Sequence, residues 1–200
     1  MRYPKLRELR EAIRALIKGP YTSKFPYAPH KPYQRFRGRP EFHQEDCIGC
    51  GACFQVCPAK AIELNDTKEK RILIIHWDMC IFCGQCQANC PTQKGIMLSD
   101  KFDLATCGKR EELKQKIEKE LYLCDLCGEI IAPLDQVRWV AKRLSSLTFS
   151  NPSLMLSYLK ELGLTLKQPS FNEKASKEFL RADRIRILCP RCRRQVVIKS

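Results

Sequence analysis

The first strong pattern of apolar and polar residues lies at residues 5–18. Apolar side chains recur there every three or four positions and basic side chains fill the other faces: Leu6, Leu9, Ile13, Leu16 and Ile17 against Arg7, Arg10, Arg14 and Lys18. This spacing predicts an amphipathic helix that ends at Gly19 and Pro20. Its apolar stripe either packs on the chain's own core, as in most such helices, or lies on a membrane interface or membrane subunit. The long linker that follows favours the second interpretation.

The linker, residues 21–40, combines prolines with aromatic and basic side chains. Its prolines forbid helix and favour extended backbone: Pro26, Pro29, Pro32 and Pro40. Aromatic residues and arginines are interleaved with them: Tyr27, Tyr33, Phe36, Arg35, Arg37 and Arg39. A disordered linker is one interpretation, but this composition favours a segment that lies against a partner surface and is ordered only in a complex.

Later segments alternate between strand and helix patterns. Residues 61–64 and 71–77 flank a polar turn and predict a hairpin, and residues 95–98 predict a matching short strand. Residues 109–121 predict a charged helix with its apolar positions facing inward. The predicted fold class is therefore α+β.

The carboxy-terminal part of the chain predicts helices followed by short strands. The helices cover residues 134–144, 153–162 and 172–181, and the strands cover residues 184–188 and 195–198. Together with the change of composition near residue 107, these patterns divide the chain into three parts. We predict a helix and docking arm at 1–45, a central domain at 46–106 and a third domain at 107–200.

Charge and hydropathy limit the possible locations. No stretch approaches eighteen uninterrupted apolar residues, and the first residues lead into a charged helix rather than an apolar signal core. We therefore expect a cytosolic protein or one bound peripherally to the cytoplasmic face of the cell membrane. The formal net charge of +14 divides into +7, −1 and +8 over the three parts. Basic arms around an acidic centre suit acidic proteins or lipid headgroups at least as well as nucleic acid.

One cysteine pattern is written twice in the central part. Each copy reads C-x2-C-x2-C-x3-C-P, and the second copy begins thirty-three residues after the first. In bacterial two-cluster ferredoxins the first three cysteines of such a run bind one [4Fe-4S] cluster and the fourth binds the other. This rule assigns one cluster to Cys47, Cys50, Cys53 and Cys90, and the other to Cys80, Cys83, Cys86 and Cys57. Disulfides or zinc knuckles explain neither the spacing nor the doubled proline.

The third part carries a separate metal signature. Two C-x2-C pairs, far apart in the sequence, predict one tetrahedral site with four thiolates: Cys124, Cys127, Cys189 and Cys192. A site closed by four protein ligands is structural rather than hydrolytic. Both Zn²⁺ and a mononuclear iron suit it, with zinc preferred. Cys107 has no neighbouring cysteine or base and is interpreted as a spectator thiol. Because each thiolate site adds about −2, the metal-loaded chain would carry a net charge of about +8.

Both cysteine motifs and the tail also carry a family resemblance. The runs Gly19-Pro20, Pro29-His-Lys-Pro, Arg35-Phe-Arg-Gly and the two cysteine loops resemble the ferredoxin-like subunit shared by respiratory complex I and membrane-bound [NiFe] hydrogenases. The tail pairs, Leu123-Cys-Asp-Leu-Cys and Cys-Pro-Arg-Cys-Arg-Arg-Gln, resemble the electron-transfer subunit of formate hydrogenlyase and related hydrogenases. The tail also resembles rubredoxin in its two cysteine pairs.

The resemblance implies a non-catalytic, electron-transferring subunit. Its implied partners are the small subunit of a hydrogenase and a membrane subunit contacted through the amino-terminal helix, with no nucleic acid expected. Two alternatives stay open: the ferredoxin-like subunit of a complex I-type quinone oxidoreductase, and a redox-sensing metal-ribbon protein that binds nucleic acid. A zinc-ribbon or rubredoxin-like fold with a helical insertion is the corresponding expectation for residues 107–200.

Overall fold

The computed structural model describes residues 5–19, 22–164 and 184–199. The chain divides into two compact units, Met1–Phe36 and Arg37–Ser200. Within the described ranges, the structure has no helix that is both long and apolar enough to cross a membrane. The predicted helix at 172–181 lies outside the described residues.

The first unit contains helix α1, Leu6–Lys18, which confirms the predicted amphipathic helix. The carboxylate of Glu8 accepts a hydrogen bond from the backbone N–H of Lys5 (3.2 Å) and so satisfies one of the free donors at the helix start. The helix ends at Gly19, whose φ of 76° is a conformation that favours glycine. Sequence and local hydrogen bonding therefore agree on both ends of α1.

In the described part of the first unit, the large apolar side chains are exposed. None of the residues of α1 is buried, and its Leu6, Leu16 and Ile17 are all at least 80% exposed. Residues 22–36 form turns and extended backbone, as predicted for the linker, and Tyr27 and Tyr33 are also exposed. Ordering of the linker in a complex stays a prediction.

The described residues of the second unit form two antiparallel sheets. Its strands are β1 (Pro40–Phe42), β2 (Ile62–Asp66), β3 (Lys70–His76), β4 (Ile96–Leu98), β5 (Lys114–Leu123) and β6 (Ile130–Pro133). Strands β1 and β4 form a two-stranded sheet, and the other four are ordered β2-β3-β5-β6. The hairpin predicted at 61–64 and 71–77 is confirmed as β2 and β3, and the strand predicted at 95–98 is confirmed as β4.

The helices of this unit are short. In the described residues they are α2 (Ala52–Gln55), α3 (Gln85–Ala88), α4 (Leu134–Leu144), α5 (Pro152–Glu161) and α6 (Pro190–Lys199). Helices α4 and α5 confirm the predictions at 134–144 and 153–162. The side chain of Asn151 caps the start of α5 by accepting hydrogen bonds from the N–H groups of Ser153 and Leu154.

Strand β5 shows that the helix predicted at 109–121 was wrong. Arg110–Leu113 forms a short 3-10 turn, and the backbone then becomes extended. The apolar positions that predicted the helix recur every four residues, an interval that keeps side chains on one face of a helix and also of a strand. Backbone pairing with the hairpin decided between them, because β5 places the buried Ile117 opposite the buried Leu73 of β3. This pairing continues across the domain boundary predicted at residue 107.

Helix α6 shows that the two strands predicted near the carboxyl end were wrong. Residues 184–189 contain no strand, and residues 195–198 lie inside the helix. Pro190 is its first residue, a position where the missing N–H of proline costs no helical hydrogen bond. Cys192 and Val196 lie four residues apart and are both buried, so one helical face packs inward. The short apolar run at residues 195–198 was too short to distinguish a strand from a helix.

The core of the second unit contains cysteines among its apolar side chains. One buried cluster joins the two sheets and includes Phe42, Leu73, Ile75, Ile96 and Ile117 with Cys47, Cys53 and Cys86. A second contains Cys124, Cys189 and Cys192 with Leu188 and Val196. The cysteines are therefore part of the packed core of the second unit.

Candidate metal centres

Four cysteines from both motifs line one small cavity: Cys47, Cys50, Cys53 and Cys90. Phe42, Leu73 and Ile96, from strands β1, β3 and β4, supply apolar parts of the wall. A small space lined by four sulfurs and walled by apolar side chains suits a bound inorganic group. The four residues are the set that the sequence assigned to one cluster.

The other four motif cysteines line a second small cavity: Cys57, Cys80, Cys83 and Cys86. Ile62, Ile75 and Leu98 contribute apolar parts of its wall. Cys57 thus lies at the cavity of the second motif, and Cys90 lies at that of the first. The structure brings together the two exchanged sets and separates the fourth cysteine of each motif from its three sequence neighbours.

The two cysteine loops share one backbone conformation. Gly51 and Gly84, with φ of 78° and 79°, immediately precede α2 and α3. The left-handed φ favours glycine at both positions. Each short helix turns the chain after the third cysteine and carries the fourth cysteine away from its own loop.

Burial acts strongly on the motif thiols. It raises the pKa of Cys53 to about 12 and that of Cys86 to about 11, and it also raises the pKa values of Cys47 and Cys80. A thiol with such a pKa keeps its proton at neutral pH unless a metal replaces it. Every cysteine of the chain lies in the described ranges and is free of a disulfide. Buried, unpaired thiols around two apolar-walled cavities are a donor set that fits iron–sulfur clusters.

Hydrogen-bond donors point at several of these sulfur atoms. The backbone N–H of Ala61 donates to the Sγ of Cys57 (3.3 Å), and that of Phe82 donates to the Sγ of Cys80 (3.4 Å). The hydroxyl of Thr92 lies 3.3 Å from the Sγ of Cys90. Burial alone would raise the pKa of Cys90, but this hydroxyl and nearby backbone N–H groups outweigh it and lower the pKa. Donors of this kind stabilise thiolates and tune cluster potentials.

Two cations beside the first cysteine loop were missed by the sequence reasoning. A guanidinium nitrogen of Arg71 donates to the carbonyl oxygen of Gly49 (3.1 Å). Lys119 is buried, with only 6% of its surface exposed, and its Cβ and Cγ atoms lie about 3.1 Å from where a Cβ of Gly49 would stand. The sequence alone does not mark Lys119 as buried, because a lysine in a charged segment is typical of a surface. Its burial follows from β5, which places it on the same face as Ile117 and Leu121.

The four tail cysteines also come together. The sulfurs of Cys124, Cys127, Cys189 and Cys192 all lie within 4.8 Å of one another. The first pair occupies the turn between β5 and β6, and the second pair stands at the start of α6. This distance suits one tetrahedrally bound metal ion. Burial and the neighbouring thiols raise the pKa of Cys192, which a bound cation would reverse.

Asp125 joins the two halves of this group. Its backbone N–H donates to the carbonyl oxygen of Ile187 (2.8 Å), and its carboxylate accepts from the N–H of the same residue (2.8 Å). The backbone N–H of Cys192 donates to the Sγ of Cys189 (3.4 Å). The two pairs, far apart in the sequence, are thus held together by hydrogen bonds as well as by packing. Cys107 is exposed and lies outside all three cysteine groups.

Comparison with known proteins gives matches over the same region. Residues 31–94 match the family model of the 4Fe-4S dicluster domain. Formate hydrogenlyase subunit 6 of Escherichia coli (strain K12) is 37% identical over 122 residues, which are 60% of this chain and 67% of that protein. NADH-quinone oxidoreductase subunit I of Carboxydothermus hydrogenoformans is 37% identical over 65 residues, 32% of this chain and 46% of that protein.

Two further comparisons extend this set. The chloroplastic NAD(P)H-quinone oxidoreductase subunit I of Adiantum capillus-veneris is 40% identical over 58 residues, 26% of this chain and 35% of that protein. A chain in the structure of the membrane-bound sulfane sulfur reductase, an archaeal respiratory membrane complex, is 31% identical with a TM-score of 0.39, covering 56% of this chain and 62% of that one. This chain spans two thirds of formate hydrogenlyase subunit 6 and less than half of the two quinone oxidoreductase subunits. It therefore belongs to the family of 4Fe-4S dicluster proteins that includes formate hydrogenlyase subunit 6, and it is an iron–sulfur electron relay.

Proposed function

We propose that this chain is the iron–sulfur electron-relay subunit of a membrane-associated hydrogenase complex of the formate hydrogenlyase kind. The grouping of the eight motif cysteines around two cavities carries the proposal. The first cluster would be held by Cys47, Cys50, Cys53 and Cys90, and the second by Cys80, Cys83, Cys86 and Cys57. A bound [4Fe-4S] cluster supplies reversible one-electron transfer.

The residues of the chain have defined tasks in this proposal. The cysteines hold the clusters, and the side chains of Phe42, Leu73 and Ile75 exclude water from them. Backbone N–H groups and the hydroxyl of Thr92 stabilise thiolate sulfur. No nucleophile or general base is needed, because electrons are the only species transferred. The subunit is therefore non-catalytic by itself.

The tail would bind one metal ion through Cys124, Cys127, Cys189 and Cys192. Four thiolates suit Zn²⁺ and mononuclear iron, and we propose zinc in a closed structural site. The sequence predicts a zinc ribbon with short strands, but helix α6 occupies the place of the second strand. We therefore propose the less specific description of a four-cysteine metal domain with a helical insertion. We retain 1–45, 46–106 and 107–200 as its sequence modules.

The first unit would attach the subunit to its complex. Helix α1 exposes an apolar stripe flanked by basic side chains, which suits the membrane interface or a membrane subunit on the cytoplasmic face. The relay would pass electrons to a cluster in the hydrogenase small subunit. The whole chain would then be a peripheral component of the membrane.

A complex I-type quinone oxidoreductase is the second candidate, favoured by the subunit I relatives. Those matches cover 26% and 32% of the chain, whereas the match to formate hydrogenlyase subunit 6 covers 60%. The longer match favours the hydrogenase. Under this assignment, the tail metal site is one of the features that distinguish the hydrogenase type of subunit from the quinone oxidoreductase type.

Anaerobic affinity purification from detergent-solubilised native membranes tests the assignment. We expect nickel to co-purify with the chain and the preparation to evolve hydrogen from a low-potential electron donor. A preparation without nickel that reduces quinone instead would assign the chain to the second candidate. As a matched pair, Ile13→Glu on the apolar face of α1 should release the chain from membranes, whereas Glu11→Gln on the same helix should not.

A further inference from the structure

We propose that Lys119, with Thr92, makes the cluster held by Cys47, Cys50, Cys53 and Cys90 the higher-potential member of the pair. The inference rests on the proposed ligand sets and goes beyond them by assigning unequal roles to the two clusters. At half reduction, the electron would rest on this first cluster.

Lys119 contacts the first cysteine loop at residues before and after Cys47. Its ammonium group donates to the carbonyl oxygen of Gln44, which precedes Cys47, and its aliphatic stem packs on Gly49, which follows. The positive charge opposes the effect of burial on the pKa of Cys47. The cation is therefore buried, and its charge acts on Cys47, a ligand of the first cluster.

Charge explains the direction of the effect. One-electron reduction adds a negative charge to a cluster, and a buried cation nearby stabilises the reduced state more than the oxidised state. The pair partner of Lys119 is Asp135, whose Oδ2 lies 2.9 Å from the ammonium nitrogen. Asp135 is half-exposed and also lies 3.5 Å from Arg138, so solvent and a second cation reduce its opposing field.

The two halves of the duplicated motif differ at this place. Each loop receives one arginine hydrogen bond, from Arg71 to the carbonyl of Gly49 and from Arg37 to that of Cys83, both 3.1 Å long. The residue thirty-three positions after Gly49 is Phe82, which has a similar φ of 53° against 70°. Gly49 lacks a side chain, and this permits the close packing of the Lys119 stem, which a Cβ there would crowd at about 3.1 Å.

Thr92 adds an independent difference in the same direction. Its hydroxyl lies 3.3 Å from the sulfur of Cys90, a ligand of the first cluster. The equivalent residue of the first motif, thirty-three positions earlier, is Ala59, which has no side-chain donor to offer Cys57. Hydrogen bonds to ligand sulfur raise cluster potentials by stabilising the more negative reduced state. Lys119 and Thr92 thus favour reduction of the same cluster.

Redox titration of the reconstituted full chain, followed by electron paramagnetic resonance, tests the inference. Thr92→Val should lower the potential of one cluster and so identify the one bound by Cys90. Lys119→Met should lower the potential of that same cluster by about tenfold in its one-electron reduction constant, which is about 59 mV. Asp135→Asn should raise it, because the buried cation then lacks its counter-charge. Lys116→Met, an exposed lysine on the opposite face of β5, should shift neither cluster.

The outcomes separate electrostatics from loosening of the fold. A purely structural role would make Lys119→Met and Asp135→Asn act in the same direction, because both break the same ion pair. The inference is overturned if Lys119→Met and Asp135→Asn shift the potential with the same sign, if neither shifts it, or if they shift a cluster other than the one identified by Thr92→Val. Each of these outcomes leaves the relay function intact. A chain that binds no clusters would instead overturn the proposed function itself.

Discussion

Arg71 donates a hydrogen bond from its guanidinium to the carbonyl oxygen of Gly49 at 3.1 Å. The same guanidinium holds the carboxylate of Asp66 with two hydrogen bonds of 2.7 and 2.8 Å. Arg71 therefore ties the turn end of the β2-β3 hairpin to the first cysteine loop. Only 15% of its side chain is exposed, so these bonds are partly shielded from water.

We predict that Arg71→Met destabilises the folded chain by about 2 kcal/mol, since hydrogen bonds to charged groups contribute on that scale. The measurement is anaerobic urea unfolding followed by circular dichroism. Lys70→Met is the matched control, because the exposed pair of Lys70 with Glu118 should contribute at most about 1 kcal/mol. Equal effects of the two substitutions would contradict a specific role for Arg71.

The stability contributed by Asp66 should depend on pH. Hydrogen bonds from Arg71 lower the pKa of Asp66 below its ordinary value in the folded chain. A lowered folded-state pKa stabilises the fold above the unfolded-state pKa, near 4, and this contribution is lost as the pH falls further. The difference in unfolding free energy between the parent chain and Asp66→Asn should therefore be constant from pH 7 to 5 and shrink below pH 4. A difference that grows on acidification would contradict this sign.

The exchanged cysteine sets predict a non-additive loss of iron. Cys90→Ala and Cys53→Ala should each remove the first cluster, so the double substitution should cost no more iron than either alone. Cys90→Ala combined with Cys86→Ala should remove iron from both clusters. Iron per chain, measured on anaerobically reconstituted protein, distinguishes these cases. If each motif binds its own cluster, the two double substitutions will give the reverse pattern.

Removal of the tail metal should unfold the tail locally while the clusters remain. Cys192→Ala leaves three thiolates and an incomplete site at the start of α6, so we expect loss of one metal ion per chain and greater protease sensitivity after residue 124. Metal analysis should find zinc lost and iron and sulfide unchanged. Cys107→Ala, an exposed cysteine outside the metal groups, is the control and should change neither. A loss of iron without sulfide would identify a mononuclear iron site.

The sequence predictions that agree with the structure rest on the spacing of residues that lie close together in the chain. The cysteine intervals predicted which residues surround each cavity, and the glycines at 51 and 84 supply the turns that this spacing needs. The β2-β3 hairpin and the helices α1, α4 and α5 follow from patterns several residues long. The ligand assignment itself stays a prediction until the cysteine substitutions are made.

Long-range pairing accounts for what the sequence did not predict. Four-residue spacing at Ile117 fitted a helix and a strand equally, and only the partner strand β3 decided the outcome. Lys119 reads as a surface charge in the sequence, and its burial depends on Gln44 and Asp135, which are distant along the chain. Helix α6 was not predicted because the apolar run at residues 195–198 covers only four residues, too few to distinguish a helix from a strand.

The proposed function requires that this single chain bind two clusters and pass electrons through them. A coulometric reduction of the reconstituted, anaerobic chain, with iron and acid-labile sulfide counted in the same sample, tests it most directly. We predict four irons and four sulfides for each of two clusters, with one reversible electron taken up by each. Acid-labile sulfide sufficient for only one cluster or for none, or uptake of a single electron per chain, would contradict this proposal.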